Sequence, residues 1–301
     1  MIIPLKGDVM KTQLALAEPV GFPSLVRQAQ TDVQLLELWL HGRSGHTARY
    51  YRRNAGRFLA FVGKPLPMVT LGDVQAFTDT LADVAEGSRA TAIASIKSLL
   101  TFGNRIGYLP VNVGAAVRLP KVKDTLAERI LPELDVQRLI ALLPAGRDHV
   151  MLRLCYAAGL RVSELVGIKR RDLQPRADGE GQVTVFGKGG KTRVILLPAS
   201  VWREIQGVGG AAPDAPLFRS RKGGHLTTRQ AQRIVEAAAQ SAGIEAAVSP
   251  HWLRHAHVSH ALDRGAPAHV VRDTVGHANL STTSRYAHAR PTESSARYLA
   301  V

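Results

Sequence analysis

The 301 residues carry 39 Lys+Arg against 24 Asp+Glu, a net charge of +15, with 45% hydrophobic side chains and a single cysteine, Cys155. So apolar a chain is not a disordered one, one cysteine excludes an intrachain disulfide, and no apolar run reaches the roughly 20 residues that cross a bilayer. Length predicts about two domains at roughly 150 residues each. Residues 1–16 lack a Lys/Arg-led apolar stretch, so the expectation is a protein without a secretory signal, in the cytoplasm and associated with the nucleoid. A strongly basic balance favours polyanions, nucleic acid first.

The charge is spread along the chain. Residues 1–30 carry three basic and two acidic side chains, and residues 31–125 carry twelve and seven. Residues 126–301 carry twenty-four and fifteen. No tail dominates, which is the pattern of two domains gripping a duplex through its phosphates.

Residues 1–30 show no sustained period and read as an irregular lead-in. From Thr31 the pattern turns helical, with Val33, Leu36 and Leu40 on one stripe and Leu35 and Trp39 on a second. Residues 47–62 set Tyr50, Tyr51, Phe58, Leu59 and Phe61 among Arg49, Arg52, Arg53 and Arg57, an amphipathic helix with one basic face. Those four arginines are DNA-contact candidates that would position the backbone without specifying sequence. A third helix opens at Leu71. A fourth follows Ser88 as candidate cap, with Ile93, Ile96, Leu99, Leu100 and Phe102 as its stripe. Residues 31–118 thus form a helical domain. Residues 119–128 lose periodicity and read as a linker, where Lys121 and Lys123 could lie along a phosphate backbone.

A second domain, 129–301, starts with Pro132 near N1 of a helix and Glu133 in its first turn. Residues 150–158 form an apolar helix closed by Gly159. Residues 182–186 and 193–197 alternate as strands around the turn Gly187-Lys188-Gly189-Gly190-Lys191, a β-hairpin with lysine at its tip. Helices follow at about 227–242, 250–264, 267–275 and 281–289. The fold class is mainly α with a small β-sheet.

Four places concentrate phosphate-binding or reactive side chains: residues 158–165 with Arg161 and Glu164; the hairpin turn with Lys188; residues 249–255 with His251 and Arg254 at i, i+3; and residues 276–283 with His277, followed by Tyr286. Taken singly, each has an ordinary reading. An arginine after a helix end caps carbonyls. A tyrosine near a C-terminus is most often a core or surface residue. His251 and His255 have zinc-like spacing, but Trp252 stands where an acidic neighbour is usual and no third ligand is evident. No metal and no cofactor are expected. His255, His257 and His260 read as structural or surface histidines.

Taken in order, Arg161, Lys188, His251-x-x-Arg254, His277 and Tyr286 resemble the signature of the tyrosine site-specific recombinases, the phage-integrase family, in its Xer-like or transposon-encoded form. The strings Gly159-Leu160-Arg161-Val162-Ser163-Glu164-Leu165, Gly187-Lys188-Gly189 and Pro250-His251-Trp252-Leu253-Arg254-His255 carry the resemblance. The segment from Gly276-His277 to Tyr286 completes it, with His277 nine residues before Tyr286. The resemblance spans about residues 31–290 and implies a helical core-site-binding domain followed by a catalytic domain.

It also implies roles. Tyr286 would attack a DNA phosphodiester to give a 3′-phosphotyrosyl link and a free 5′-hydroxyl. Arg161 and Arg254 would bind the non-bridging oxygens, where a planar, permanently charged fork suits phosphate. Lys188 would protonate the leaving oxygen, His251 would act as acid/base on the tyrosine side, and His277 would contact the phosphate. Glu164 would orient the cluster. Lys191 rivals Lys188 and reads rather as a phosphate contact. Tyr298 lies beyond the motif. The implied partner is double-stranded DNA with core recombination sites, bound by a homo-tetramer linked through the C-terminal tail, residues 292–299. A second recombinase or accessory protein is left open by the sequence. So is the choice among chromosome-dimer resolution, phage integration and transposon movement. The rival functions are a type IB topoisomerase-like nicking-closing enzyme and a non-catalytic DNA-binding regulator; every expected catalytic position being filled speaks against the regulator.

Overall fold

Contacts along the chain separate into two units, Met1–Lys123 and Asp124–Val301, and the computed structural model describes residues 28–187 and 190–289. The lead-in up to residue 27, Lys188 at the hairpin tip and the tail beyond residue 289 lie outside the described residues. Among the described residues no helix is long and apolar enough to cross a membrane.

Among its described residues the first unit holds four α-helices: α1 (Asp32–Leu40), α2 (Gly45–Val62), α3 (Leu71–Asp79) and α4 (Glu86–Arg105). Thr31 caps α1 by accepting the Gln34 N–H, which satisfies one of the orphan donors of the first turn. Of the two stripes on α1, the second is the inward one: Leu35 and Trp39 are buried, whereas Val33 is 67% exposed. Leu40 from the first stripe joins them because it lies one residue beyond Trp39. They meet Phe58, Phe77, Ile96, Leu99 and Leu100 in one core. Ser88 does not cap α4; that helix begins at Glu86 with Ala85 at the cap position. On α2 the buried side is Asn54, Ala55 and Phe58, and Arg49, Arg52, Arg53 and Arg57 are all exposed.

The second unit begins with α5 (Glu133–Ala141), α6 (Arg147–Ala158) and the short α7 (Val162–Gly167). Pro132 stands at the cap position of α5, one residue before N1. Three antiparallel strands follow, β1 (Leu173–Pro175), β2 (Gly181–Phe186) and β3 (Thr192–Leu197), in the order β1-β2-β3. β2 and β3 are the hairpin, in register from Gly181↔Leu197 to Phe186↔Thr192. β1 is too short, and α7 too close to the preceding helix end, for periodicity to reveal them. Then come α8 (Ala199–Gln206), α9 (Thr228–Ser241), α10 (Pro250–Asp263), α11 (Ala268–Val275) and α12 (Leu280–Ala289). Ser249 occupies the cap position of α10, but its side chain makes no capping hydrogen bond.

α10 is the axis of this unit. It packs against α5, α6, α11 and α12, and it buries Leu253, Arg254, His255, Ala256, Val258, Ser259 and His260. A helix apolar on one face only could not do this; α10 instead pairs its buried arginine and histidines with internal partners, while Ser259 Oγ has no hydrogen-bond partner among the described residues. His260 Nε2 bonds Leu131 O and its Nδ1 meets the Tyr156 hydroxyl, while His257 Nδ1 bonds Tyr156 O. The main core lies between these helices and the sheet. A smaller one gathers Leu126, Ile130, Val258, Val271, Val275 and Tyr286.

Gly159 closes α6 in the left-handed region at φ 57°. A Cβ there would stand 2.6 Å from His257 Cδ2 and 2.7 Å from Val275 Cγ1. Both the conformation and the space require glycine, and a non-glycine residue so held costs about 1–3 kcal/mol before any clash. Gly159→Ala will therefore lower the urea midpoint of the second unit's unfolding by at least that equivalent, whereas Gly167→Ala, which meets nothing within 4 Å, will not.

Candidate active site

Arg161 stands at the turn from α6 into α7. Its backbone N–H donates to Glu164 Oε2 at 2.9 Å, its Nη1 to Glu164 Oε1 at 2.9 Å, and its Nη2 to Gly276 O at 3.0 Å. One side chain thus ties the start of α7 to the end of α11. The Glu164 side chain is only 3% exposed. A carboxylate so buried must be paired, and the pairing comes from both sides. Arg193, on β3, donates Nη1 to Oε1 at 2.9 Å and Nη2 to Oε2 at 2.8 Å, a bidentate fork of the stronger kind. Arg193 Nε also donates to Thr274 O at 2.7 Å. Burial opposes ionisation of Glu164, but the Arg193 fork, the Arg161 N–H, the Arg193 charge and the Arg161 side-chain hydrogen bond outweigh it and hold the pKa at about 2.

Arg254, on α10, is 2% exposed. Its Nη1 donates to Gly159 O at 2.6 Å and its Nη2 to Val275 O at 2.8 Å, the carbonyls at the ends of α6 and α11. Burial, then the Arg161 charge, lowers its pKa to about 10, so it remains a cation at neutral pH.

The three histidines of this region are held neutral. Burial, then the Arg254 and Arg161 charges, lowers His277 to about 4 and lowers His251. Burial and His251 lower His255 to about 3. His277 Nδ1 shares a hydrogen bond with Thr283 Oγ1 at 2.9 Å, which fixes its ring, and its ring stacks on Tyr286 with centroids 6.2 Å apart. The rings of His251 and His255 meet edge to face at 4.3 Å. The Tyr286 side chain is buried, which raises its pKa. Its hydroxyl is 2.6 Å from Nδ1 of His255. His255 is therefore neither a surface residue nor remote from the cluster: it is the residue that touches the phenol oxygen. The signal available in the sequence was its place one helical turn after His251, beside Arg254.

A cavity of about 470 Å³ opens over Arg161, Lys191, Arg193, Arg272, Gly276 and His277. Lys191 is exposed at its mouth. Arg193 and Arg272 were not singled out in sequence, because neither belongs to a motif. Tyr286, His251 and Arg254 are not lining residues of this cavity. A second basic cavity, about 700 Å³, gathers Arg147, Arg221, Lys222, His225 and Arg233, which come from three separate segments. Elsewhere, Arg52 pairs with Glu37 at 2.8 Å and Arg53 lies 5.4 Å over the Tyr50 ring. Lys121 and Lys123 are exposed. Among the described residues no three His, Cys, Asp or Glu side chains come together to hold a metal ion.

Folding lowers the Glu164 pKa from 4.5 to about 2. Its ionisation therefore stabilises the fold fully above pH 4.5, and that contribution, roughly 3 kcal/mol, is lost as pH falls toward 2. Urea midpoints measured from pH 6 to pH 2 will fall less steeply for Glu164→Gln than for the unchanged chain.

Comparison with known proteins places this geometry in a lineage. The model of the phage integrase family matches residues 129–293. The tyrosine recombinase XerC of Rhodospirillum centenum is 33% identical over 297 residues, covering 88% of this chain and 86% of that protein. The tyrosine recombinase XerD of Pseudomonas aeruginosa is 35% identical over 271 residues, covering 83% and 89%. Among solved structures, a lambda integrase tetramer bound to a Holliday junction shares the fold with a TM-score of 0.70 at 16% identity, covering 88% of this chain and 80% of that one. The extent of the family match and the identity to these relatives are conclusive: the chain belongs to the phage integrase family, as a tyrosine recombinase of the Xer type.

Proposed function

We propose that this chain cleaves and rejoins double-stranded DNA at core sites through a 3′-phosphotyrosyl intermediate, with Tyr286 as nucleophile, in integration, excision or resolution. The observation that carries this reading is the packing of Tyr286 against His255 and His277, beside an Arg161–Glu164–Arg193 cluster. The phenol oxygen forms a bond to phosphorus while the bond to the 5′-oxygen breaks. The 5′-oxygen takes its proton from Lys188, and the link keeps the energy of the broken bond for rejoining.

Arg161 and Arg254 neutralise the non-bridging oxygens. Each spends some of its five N–H donors on carbonyls or on Glu164 and keeps others for phosphate. Such pre-set donors act most strongly as charge builds in the transition state, because they need not reorganise. His277 contacts the phosphate, and Glu164 holds Arg161 in place. His251 works on the tyrosine side.

Arg49, Arg52, Arg53, Arg57, Lys121, Lys123 and Lys191 hold flanking phosphates. The chain works as a tetramer on two sites, docked through its C-terminal tail, in the compartment that holds the nucleoid. Two proteins of the same fold are bound to DNA in solved structures, lambda integrase as a dimer and as a tetramer and XerH as a pre-cleavage complex, which supports this assembly.

The test begins with a randomised duplex pool, from which the Tyr286→Phe chain selects a bound core site. A nick is then placed in that site so that the cut end diffuses away. Wild type will accumulate a covalent protein–DNA adduct, and Tyr286→Phe will form none. An adduct that persists in Tyr286→Phe assigns the nucleophile elsewhere. Relaxation of single-site plasmids without exchange between two sites would make the chain a nicking-closing enzyme.

A further inference from the structure

Tyr286 has to lose a proton to become a nucleophile, and burial makes that loss harder. The group that receives it must lie within hydrogen-bond reach of the phenol oxygen. His251 is the histidine the family motif offers. The hydrogen bond to the phenol oxygen, however, is made by Nδ1 of His255, at 2.6 Å.

We infer that His255 is a catalytic residue of this chain: its Nδ1 takes the proton of Tyr286 Oη as that oxygen bonds to phosphorus, and returns it when the DNA hydroxyl displaces the tyrosine. The inference rests on the reading of Tyr286 as nucleophile. His255 suits the task for three reasons. It is buried on α10, so its ring cannot swing away. Its ring is braced edge to face by His251 at 4.3 Å. And it is neutral before the reaction, since burial, His251, Arg129, Arg254 and His277 all disfavour the imidazolium, so Nδ1 is free of a proton in the tautomer that accepts from the phenol. The charge that arises on His255 as the proton arrives is offset by the phosphate, which brings negative charge into the same site. His251 then acts on His255 by packing, at one remove from the phenol. On cleavage the Oη–P bond forms, the P–O5′ bond breaks, the phenol proton moves to His255 and the 5′-oxygen is protonated by the acid on the other side.

The decisive variant is His255→Asn. Its amide oxygen stands close to where Nδ1 was and keeps the hydrogen bond, but it cannot take a proton. Single-turnover cleavage of the nicked core site is compared for wild type and His255→Asn. Each carries either tyrosine or 3,5-difluorotyrosine at position 286, and the duplex carries either an oxygen or a bridging 5′-sulfur leaving group. The expected result is an about 100-fold slower cleavage by His255→Asn with unchanged DNA retention. The difluorinated phenol, which ionises unaided near neutral pH, restores most of the loss. The 5′-sulfur, which needs no acid, restores none.

Wild-type rates in His255→Asn overturn the inference, as does rescue by the 5′-sulfur alone, which would make His255 the leaving-group acid. Faster cleavage by His255→Ala also overturns it, since His255 would then be a latch that stores the tyrosine. In each of these cases the Tyr286-dependent adduct of wild type stands. Its absence in wild type instead defeats the reading of Tyr286 itself.

Discussion

At the heart of the second unit one guanidinium bonds two carbonyls that are 116 residues apart in sequence, Gly159 O and Val275 O. Arg254 is 2% exposed, and a cation withdrawn that far from water is tolerated only if its donors are used. The last carbonyls of a helix have no intrahelical partner and carry the negative end of its dipole. Arg254 therefore satisfies α6 and α11 at the moment they satisfy it. The consequence is positional. Arg161 lies two residues beyond Gly159, and Gly276 and His277 follow Val275 directly, so the crosslink fixes the bases on which the rest of the cluster stands.

A second layer of charge depends on that frame. Arg161, Arg193 and Arg254 bring three positive charges close together, against the one carboxylate of Glu164. The carboxylate stays ionised to about pH 2, and burial, reinforced by the neighbouring positive charges, keeps the nearby histidines neutral. An excess of positive charge in a partly desolvated place is costly to the free protein. It is also what a doubly bonded phosphodiester, and still more a pentacoordinate one, would relieve. Neutral imidazoles beside fixed cations can move protons without competing for the anion. Arg161 braces the Glu164 carboxylate while also bonding Gly276 O, and Arg193 secures the same carboxylate from β3 without lining up in any motif.

The helices with long apolar periods were legible. α2, α4, α6, α9 and α10 follow from spacing and punctuation, and Gly159 as the end of α6 followed from glycine chemistry. What failed did so for local reasons. Val33 and Leu35 are both apolar and the period alone does not choose between their stripes; packing against Phe58 and Leu99 does. Ser88 is a good cap residue, yet the chain enters α4 three residues earlier, with Ala85 at the cap, because helix ends answer to the loop before them as well as to propensity. β1 and α7 are three and six residues long, shorter than a period can register.

The residue types alone determined the chemistry on offer: a strongly basic chain, arginines suited to phosphate, and a tyrosine at a fixed distance after a histidine. Which of those groups touch was decided only by tertiary structure. His251, not His255, is the histidine the motif names, but α10 is buried on nearly every side, and its rotation against α12 sets His255 on the phenol. Arg193 becomes the partner of Glu164 because β3 passes beside α7. The basic cavity of Arg147, Arg221 and Arg233 exists because three segments converge. A linear pattern reports which side chains share one element's face. It cannot report distances between elements, which are set by how buried arginines and helix ends find one another.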